Sequence, residues 1–317
     1  MTPMPLPDDL GESFSVSEAL RLGVGAGRLR GADLEQPFRG VRMRSLPEPQ
    51  RVESRFEAER KREIDLIHAL ARRSVPGQFF SHRSAALLWG LPVPHLAVPE
   101  LHLSVHLPGR APRVDGVTGH ALSPARSIVV QRDGLAVTSA ACTWAQLGRL
   151  SLYEIVAAGD VLLRTHRAGY GRPNIGKPPL TTSEELASVL SLGRWPGSAR
   201  LRRALPLLRE DSWSPKESEL RLIIVTAGLP EPELNIDVFD ESGEFLGCVD
   251  MAYRSFRVAI EYQSDYHAGR LADDVDKAER LRDAGWILIQ VTKSLRNDSA
   301  SVLRRVAGAL RERGWTG

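Results

Sequence analysis

From Ser214 onward the apolar residues change period in a fixed order that few folds accept. Ser214-Pro215-Lys216-Glu217 has the form of a helix start, with Ser as cap and Pro in the first turn. Leu220, Leu222, Ile223 and Val225 continue that helix until Gly228. Three strand segments follow: Leu234 to Phe239, Phe245 to Met251 after a Ser242-Gly243 turn, and Arg257 to Tyr262. Helical spacing returns from Asp273 to Ala284, a strand from Trp286 to Val291, and a helix from Ser299 to Arg313. The order αβββαβα, preceded by helical segments at Thr182 to Leu192 and Ala199 to Arg209, predicts an α/β domain.

Three carboxylates stand out in this run. Glu261 lies among Val258, Ala259, Ile260 and Tyr262 in a strand of sheet-centre composition, where a charge needs a partner. Gln263 shares its face, because strands repeat every two residues. Asp250 ends the preceding strand, and Glu217 opens the helix before the sheet. Asp250 and Glu261 could hold Mg²⁺ or Mn²⁺, which take hard oxygen ligands. Such an ion polarises a phosphate and acidifies a bound water. Simpler roles exist for two of the three: a first-turn carboxylate favoured by the helix dipole for Glu217, and a turn residue for Asp250.

This arrangement resembles the PD-(D/E)xK nuclease fold over about residues 214 to 295. The pieces Ala227-Gly228-Leu229-Pro230, Asn235, Val249-Asp250, Ile260-Glu261-Tyr262, His267, Asp274, Lys277, Glu279-Arg280-Leu281 and Ala284-Gly285-Trp286 are similar to a bacterial domain family related to very-short-patch repair endonucleases. The resemblance implies Glu217, Asp250, Glu261, Gln263 and His267 as catalytic residues, with Asp250 and Glu261 on the metal. Gln263 stands where the signature has Lys; Gln is no base, but it orients water by hydrogen bonding. Lys277 and Arg280, one turn apart on a helix, either contact phosphate or face water.

The first 50 residues read as a small winged-helix-like unit: a helix from Ser15, a turn at Gly23 to Gly27, a second short helix over Arg28 to Leu34, and a basic strand through Arg44. Arg28 and Arg30 are its candidate DNA contacts. Phe38-Arg39-Gly40-Val41, His82-Arg83-Ser84-Ala85-Ala86, Trp89-Gly90-Leu91-Pro92 and Ala158-Gly159-Asp160 resemble the AbiEi-like antitoxin-type region of actinobacterial proteins. That resemblance implies DNA as partner and admits a toxin–antitoxin type of protein partner. The expected division is 1–50, a middle α/β domain over 51–165, a Gly/Pro/Arg-rich linker over 166–180, and the nuclease-like domain over 181–317. The middle region holds His82, His95, His102, His106 and His120. His102 and His106 share a strand face but lie about 13 Å apart along it, too far for one ion. All five therefore read as structural or surface histidines.

Only five of the 42 basic residues are lysine, and the net charge is +3. Arg-rich codon usage explains that balance, and phosphate contact is its functional alternative. Cys142 and Cys248 lie far apart with no disulfide or zinc spacing, consistent with reduced thiols in a cytoplasm. The Pro-rich, acidic N-terminus lacks the features of a signal peptide, and no apolar stretch has spanning length, so no membrane partner is expected. The function expected is metal-dependent DNA cleavage; the alternative is a DNA-binding regulator or antitoxin that keeps a degenerate nuclease fold.

Overall fold

The computed structural model describes residues 4–45, 55–263, 271–292, 295–296 and 298–317. It is a multi-domain α/β protein, and the chain forms two compact units: Met1–Arg149 with Ser188–Pro196, and Leu150–Ala187 with Gly197–Gly317.

In the first unit, β1 (Ser13–Ser15), α1 (Val16–Arg21), β2 (Leu34–Glu35) and β3 (Val41–Arg44) build a small antiparallel sheet of order β1-β3-β2. Ser15 and Glu18 close a reciprocal capping box on α1. Phe14, Ala19, Val24 and Leu29 form its core with Leu6 and Leu10. The second expected helix is only one 3₁₀ turn, Arg28–Arg30, followed by β2. Arg28 binds Asp33 through both guanidinium ends at 2.9 and 2.5 Å, and this closes the chain back where a longer helix would run outward.

The same unit continues with α2 (Arg55–Ala71), β4 (Gln78–Phe80), α3 (His82–Leu88), β5 (Leu101–His106), β6 (Val117–Leu122), β7 (Val129–Arg132), β8 (Leu135–Thr138) and α4 (Ala140–Gln146). The five strands form a mixed sheet of order β6-β5-β4-β8-β7. Phe80, Leu101, Leu103 and Val137 from the sheet meet Ile67 and Leu70 of α2 and Ala85 and Leu87 of α3. β4 and β6 are too short or too polar to announce themselves by alternation; pairing with β5 makes them strands.

The second unit begins with α5 (Leu152–Leu163), and α6 (Ser183–Ser191) straddles the division. α7 (Ser198–Ala204) is shorter than expected, because Pro206 tightens its continuation into a 3₁₀ turn. The elements α8 (Pro215–Thr226), β9 (Glu233–Phe239), β10 (Phe245–Tyr253), β11 (Val258–Gln263), α9 (Leu271–Asp283), β12 (Ile287–Thr292) and α10 (Ser299–Glu312) follow in the expected αβββαβα order. The sheet order is β12-β11-β10-β9, with only the β11–β12 pair parallel. Leu220 and Ile224 of α8 and Val302, Val306 and Leu310 of α10 pack with Met251, Ile260 and Ile289. Leu281 of α9 packs with Ala252 and Ala259 in a second cluster.

The stretch expected as a linker is built into the second unit. Arg172, 4% exposed at its side chain, reaches Asp237 at 2.6 Å and the Asn235 carbonyl at 3.0 Å, with its guanidinium 4.9 Å from the Trp213 ring. A Gly/Pro/Arg composition marks absent regular structure, and here that irregular chain is tied down by buried arginine hydrogen bonds. The expected boundaries at 165 and 180 thus fall inside this unit. Among the described residues, no helix is long and apolar enough to cross a membrane.

Candidate active site

The register of the four-stranded sheet assembles the site. Ile236 and Leu234 of β9 face Val249 and Met251 of β10, which sets Asn235 opposite Asp250. Met251 faces Ile260 of β11, and one step further Asp250 lies across from Glu261. Glu261 in turn faces Gln290 of β12. A polar row, Asn235, Asp250, Glu261 and Gln290, therefore crosses all four strands of the sheet. Directly opposed carboxylates are unfavourable on a strand pair, so this row needs compensation from outside the sheet.

One source of compensation is α8. The Ser214 hydroxyl accepts the Glu217 N–H at 3.2 Å and fixes the first turn. The Glu217 carboxylate, buried, accepts the Trp213 N–H at 2.9 Å and an Asn235 side-chain N–H at 2.6 Å. Asn235 adopts a left-handed backbone, φ 47°, which Asn tolerates better than most residues. Burial raises the Glu217 pKa, against the pull of those two donors.

The other source is α9. Lys277 Nζ lies 2.5 Å from Glu261 Oε1 and 3.4 Å from the Cys248 carbonyl. Its stem runs over Gly247, where an added Cβ would meet Lys277 Cδ at 2.6 Å. Glycine at 247 is thus what lets the ammonium reach the row. Asp274, one turn earlier on α9, adds a further negative charge to the field around Asp250 and Glu261.

The electrostatics of the row point one way. Asp250 is pushed up to about 7, first by burial and then by the charge of Glu217, although the Tyr262 N–H donates to its Oδ2 at 2.7 Å. Burial raises Glu261 as well, with Lys277 opposing and Asp250 and Asp274 reinforcing it. Burial alone would lower Lys277, but Glu261, Asp250 and Asp274 outweigh it and hold the ammonium above its ordinary value. Carboxylates whose proton affinity is raised by burial and by one another, beside an amine whose own is raised by them, mark a site short of positive charge.

Not every sequence-predicted residue joins this cluster. Glu217, Asp250 and Glu261 contribute, but they do not form a triplet with all ligand oxygens within 4.8 Å of one another. Gln263 is half-buried beside Thr292 of β12. His267 lies outside the described residues. Lys277, expected against phosphate or water, is the counter-ion of Glu261 instead. Arg280 is exposed, with its Nε donating to the Leu246 carbonyl at 3.3 Å. In the first unit Arg28 is committed to Asp33 and the Met4 carbonyl, whereas Arg30 is exposed. Gln290 and Gly247 were missed. Only the strand register exposes the first, and only the path of the lysine stem exposes the second.

No protein-family profile matches this chain. Two uncharacterized proteins of Mycobacterium tuberculosis, from two strains, are each 32% identical to it over 115 residues, which is 35% of this chain and 42% of theirs. The chain thus spans about two-fifths of the length of the curated relatives it matches. No solved structure matches it.

Proposed function

We propose that the second unit hydrolyses phosphodiester bonds in DNA with a hard divalent cation, Mg²⁺ or Mn²⁺, held by Asp250 and Glu261. The observation that carries this reading is the register that sets the Asp250 and Glu261 carboxylates across from each other on adjacent strands, with Lys277 as the one cation against them among the described residues. The donor set fits: carboxylate oxygens are the ligands such ions prefer. A divalent ion there polarises a scissile phosphate and lowers the pKa of an attacking water. Glu217, fixed by Trp213 and Asn235, sets the field at Asp250. Lys277 opposes the effect of burial on Glu261 and brings a cation to the side of the sheet where the signature lysine, replaced by Gln263, is lacking. Gln263 orients water by hydrogen bonding. The resemblance to very-short-patch repair endonucleases supports DNA as substrate, with Arg280 and Arg30 as exposed cations toward its backbone.

One observation favours a second reading. The Lys277–Glu261 pair at 2.5 Å is itself a substitute for a metal ion. On that reading the site is a relic with an internal counter-ion, and the protein is a DNA-binding regulator of antitoxin type. Incubation of supercoiled plasmid with the protein and Mg²⁺ or Mn²⁺ separates the two. The enzyme reading expects metal-dependent nicking that falls about 100-fold or more in Asp250→Asn and in Glu261→Gln. Salt-dependent DNA binding with no nicking by the wild type supports the regulator.

A further inference from the structure

The first unit gathers three histidines from three elements. His102 and Ser104 share one face of β5, and Ser104 faces His120 across the parallel β5–β6 pair. β4 lies on the other side of β5 and delivers Ser81 and then His82, at the start of α3. One ligand nitrogen from each of His82, His102 and His120 lies within 4.8 Å of the other two. Among the described residues, no other group of three His, Cys, Asp or Glu side chains is so collected.

The surroundings hold the rings as metal ligands are held. The Ser81 hydroxyl bonds His82 Nδ1 at 2.8 Å and the Ser104 hydroxyl at 2.6 Å, which leaves Nε2 as the ligand of His82. Glu100 Oε1 lies 3.5 Å from His102 Nε2, which turns Nδ1 of that ring inward. That Nδ1 meets His120 Nε2 at 2.9 Å. A carboxylate or hydroxyl on the outer ring nitrogen is the usual support of a metal-binding histidine. The backbone of His82 is also unusual: φ is 49°, a left-handed conformation that side chains with a Cβ rarely adopt. Gln146 Oε1 holds it there by accepting the His82 N–H at 2.7 Å.

We infer that His82, His102 and His120 form a site for a borderline transition-metal ion of the Zn²⁺ class, separate from the carboxylate row. Three imidazoles leave the fourth position of a tetrahedral ion to water or an incoming donor. The hard ions proposed for Asp250 and Glu261 are poor occupants here, because neutral nitrogen ligands favour Zn²⁺, Co²⁺, Ni²⁺ or Cu²⁺. The 2.9 Å contact between His102 and His120 is near the roughly 3.3 Å that two nitrogens keep around a tetrahedral zinc. His82 stacks on His120 at 4.1 Å and 22°, so ion entry turns that ring from face-on to edge-on and displaces the proton shared by His102 and His120.

The test uses the full chain, purified with a chelator, and metal alone as probe. Zn²⁺ titration in competition with a chromophoric chelator is expected to show one equivalent bound. Co²⁺ is expected to give the ligand-field bands of a tetrahedral nitrogen site. His120→Gln, at a half-buried position, should weaken Zn²⁺ at least about 100-fold. His95→Gln and His106→Gln should leave binding unchanged, since those rings pair locally with Glu59 and with the Ser127 carbonyl. The Asp250→Asn, Glu261→Gln double variant should also bind Zn²⁺ as the wild type does, which separates this site from the proposed nuclease centre. Failure of the wild type to take up one equivalent overturns the proposal. So does undiminished affinity in His120→Gln, or loss of uptake in the double carboxylate variant. X-ray absorption of the Zn²⁺-loaded wild type needs no variant: three imidazoles at about 2.0–2.1 Å sustain the site, and an oxygen-only shell refutes it.

Discussion

Lys277 Nζ stands 2.5 Å from Glu261 Oε1, a cation carried by α9 against a carboxylate in the centre of the sheet. The contact is enclosed on both sides, with 21% and 9% of the two side chains exposed. Removal of one partner leaves the other buried without its counter-charge. Lys277→Met should therefore cost about 2 kcal/mol in metal-free protein, less than a fully enclosed pair because the lysine keeps some solvent. Adding Glu261→Gln should recover most of that loss. Denaturant midpoints of the four proteins in a double-mutant cycle measure it, and additive effects would show that the pair is not coupled.

Glu217 is bound by two donors, the Trp213 N–H and the Asn235 amide. Glu217→Gln keeps an acceptor and removes a buried charge, so stability at neutral pH should change by less than about 1 kcal/mol. Glu217→Ala strands both donors and should cost about 2 kcal/mol. Equal losses in the two variants would mean that the charge, not the acceptor, holds this corner together.

Asp160 of α5 is a buried carboxylate that accepts the Arg209 N–H and the Ser218 hydroxyl, both at 2.7 Å, with Arg221 at 3.5 Å. Burial outweighs these partners and raises it from 3.8 to about 6. A carboxylate with a raised folded pKa stabilises the fold while protonated, fully below about pH 4, and loses that contribution as pH rises through about 6. The wild type should lose on the order of 3 kcal/mol from this group between those limits. Asp160→Asn should be flatter over the same window, since Arg221 retains Glu231 at 2.8 Å. Urea unfolding at several pH values in both proteins reads the difference, and parallel profiles would count against it.

Arg172 binds Asp237, the Ala168 carbonyl and the Asn235 carbonyl from within the 166–180 segment. Arg172→Ala leaves buried acceptors without a donor and should cost about 3 kcal/mol. Brief proteolysis should spare this segment in the wild type and cut it in the variant. Ready cleavage of the wild type there would restore the linker expected from composition.

Local pattern decided much of this protein. The period of the apolar residues from Ser214 onward fixes αβββαβα, because a helix or strand must bury one face and the spacing of Leu220, Ile260 or Leu281 states which. The same pattern put Asp250 and Glu261 at strand positions two elements could share. Composition misjudged the 166–180 segment, since glycine and proline report the absence of helix or strand and not the absence of burial. Tertiary structure decided the rest. Lys277 becomes a partner of Glu261, 16 residues before it in the chain, only because α9 lays the lysine stem over Gly247 of β10. His82, His102 and His120 meet only because the strand order sets β4 and β6 on either side of β5. Side-chain periodicity is a property of one element, whereas a site drawn from three elements depends on how the sheet is ordered, and no spacing along the chain records that.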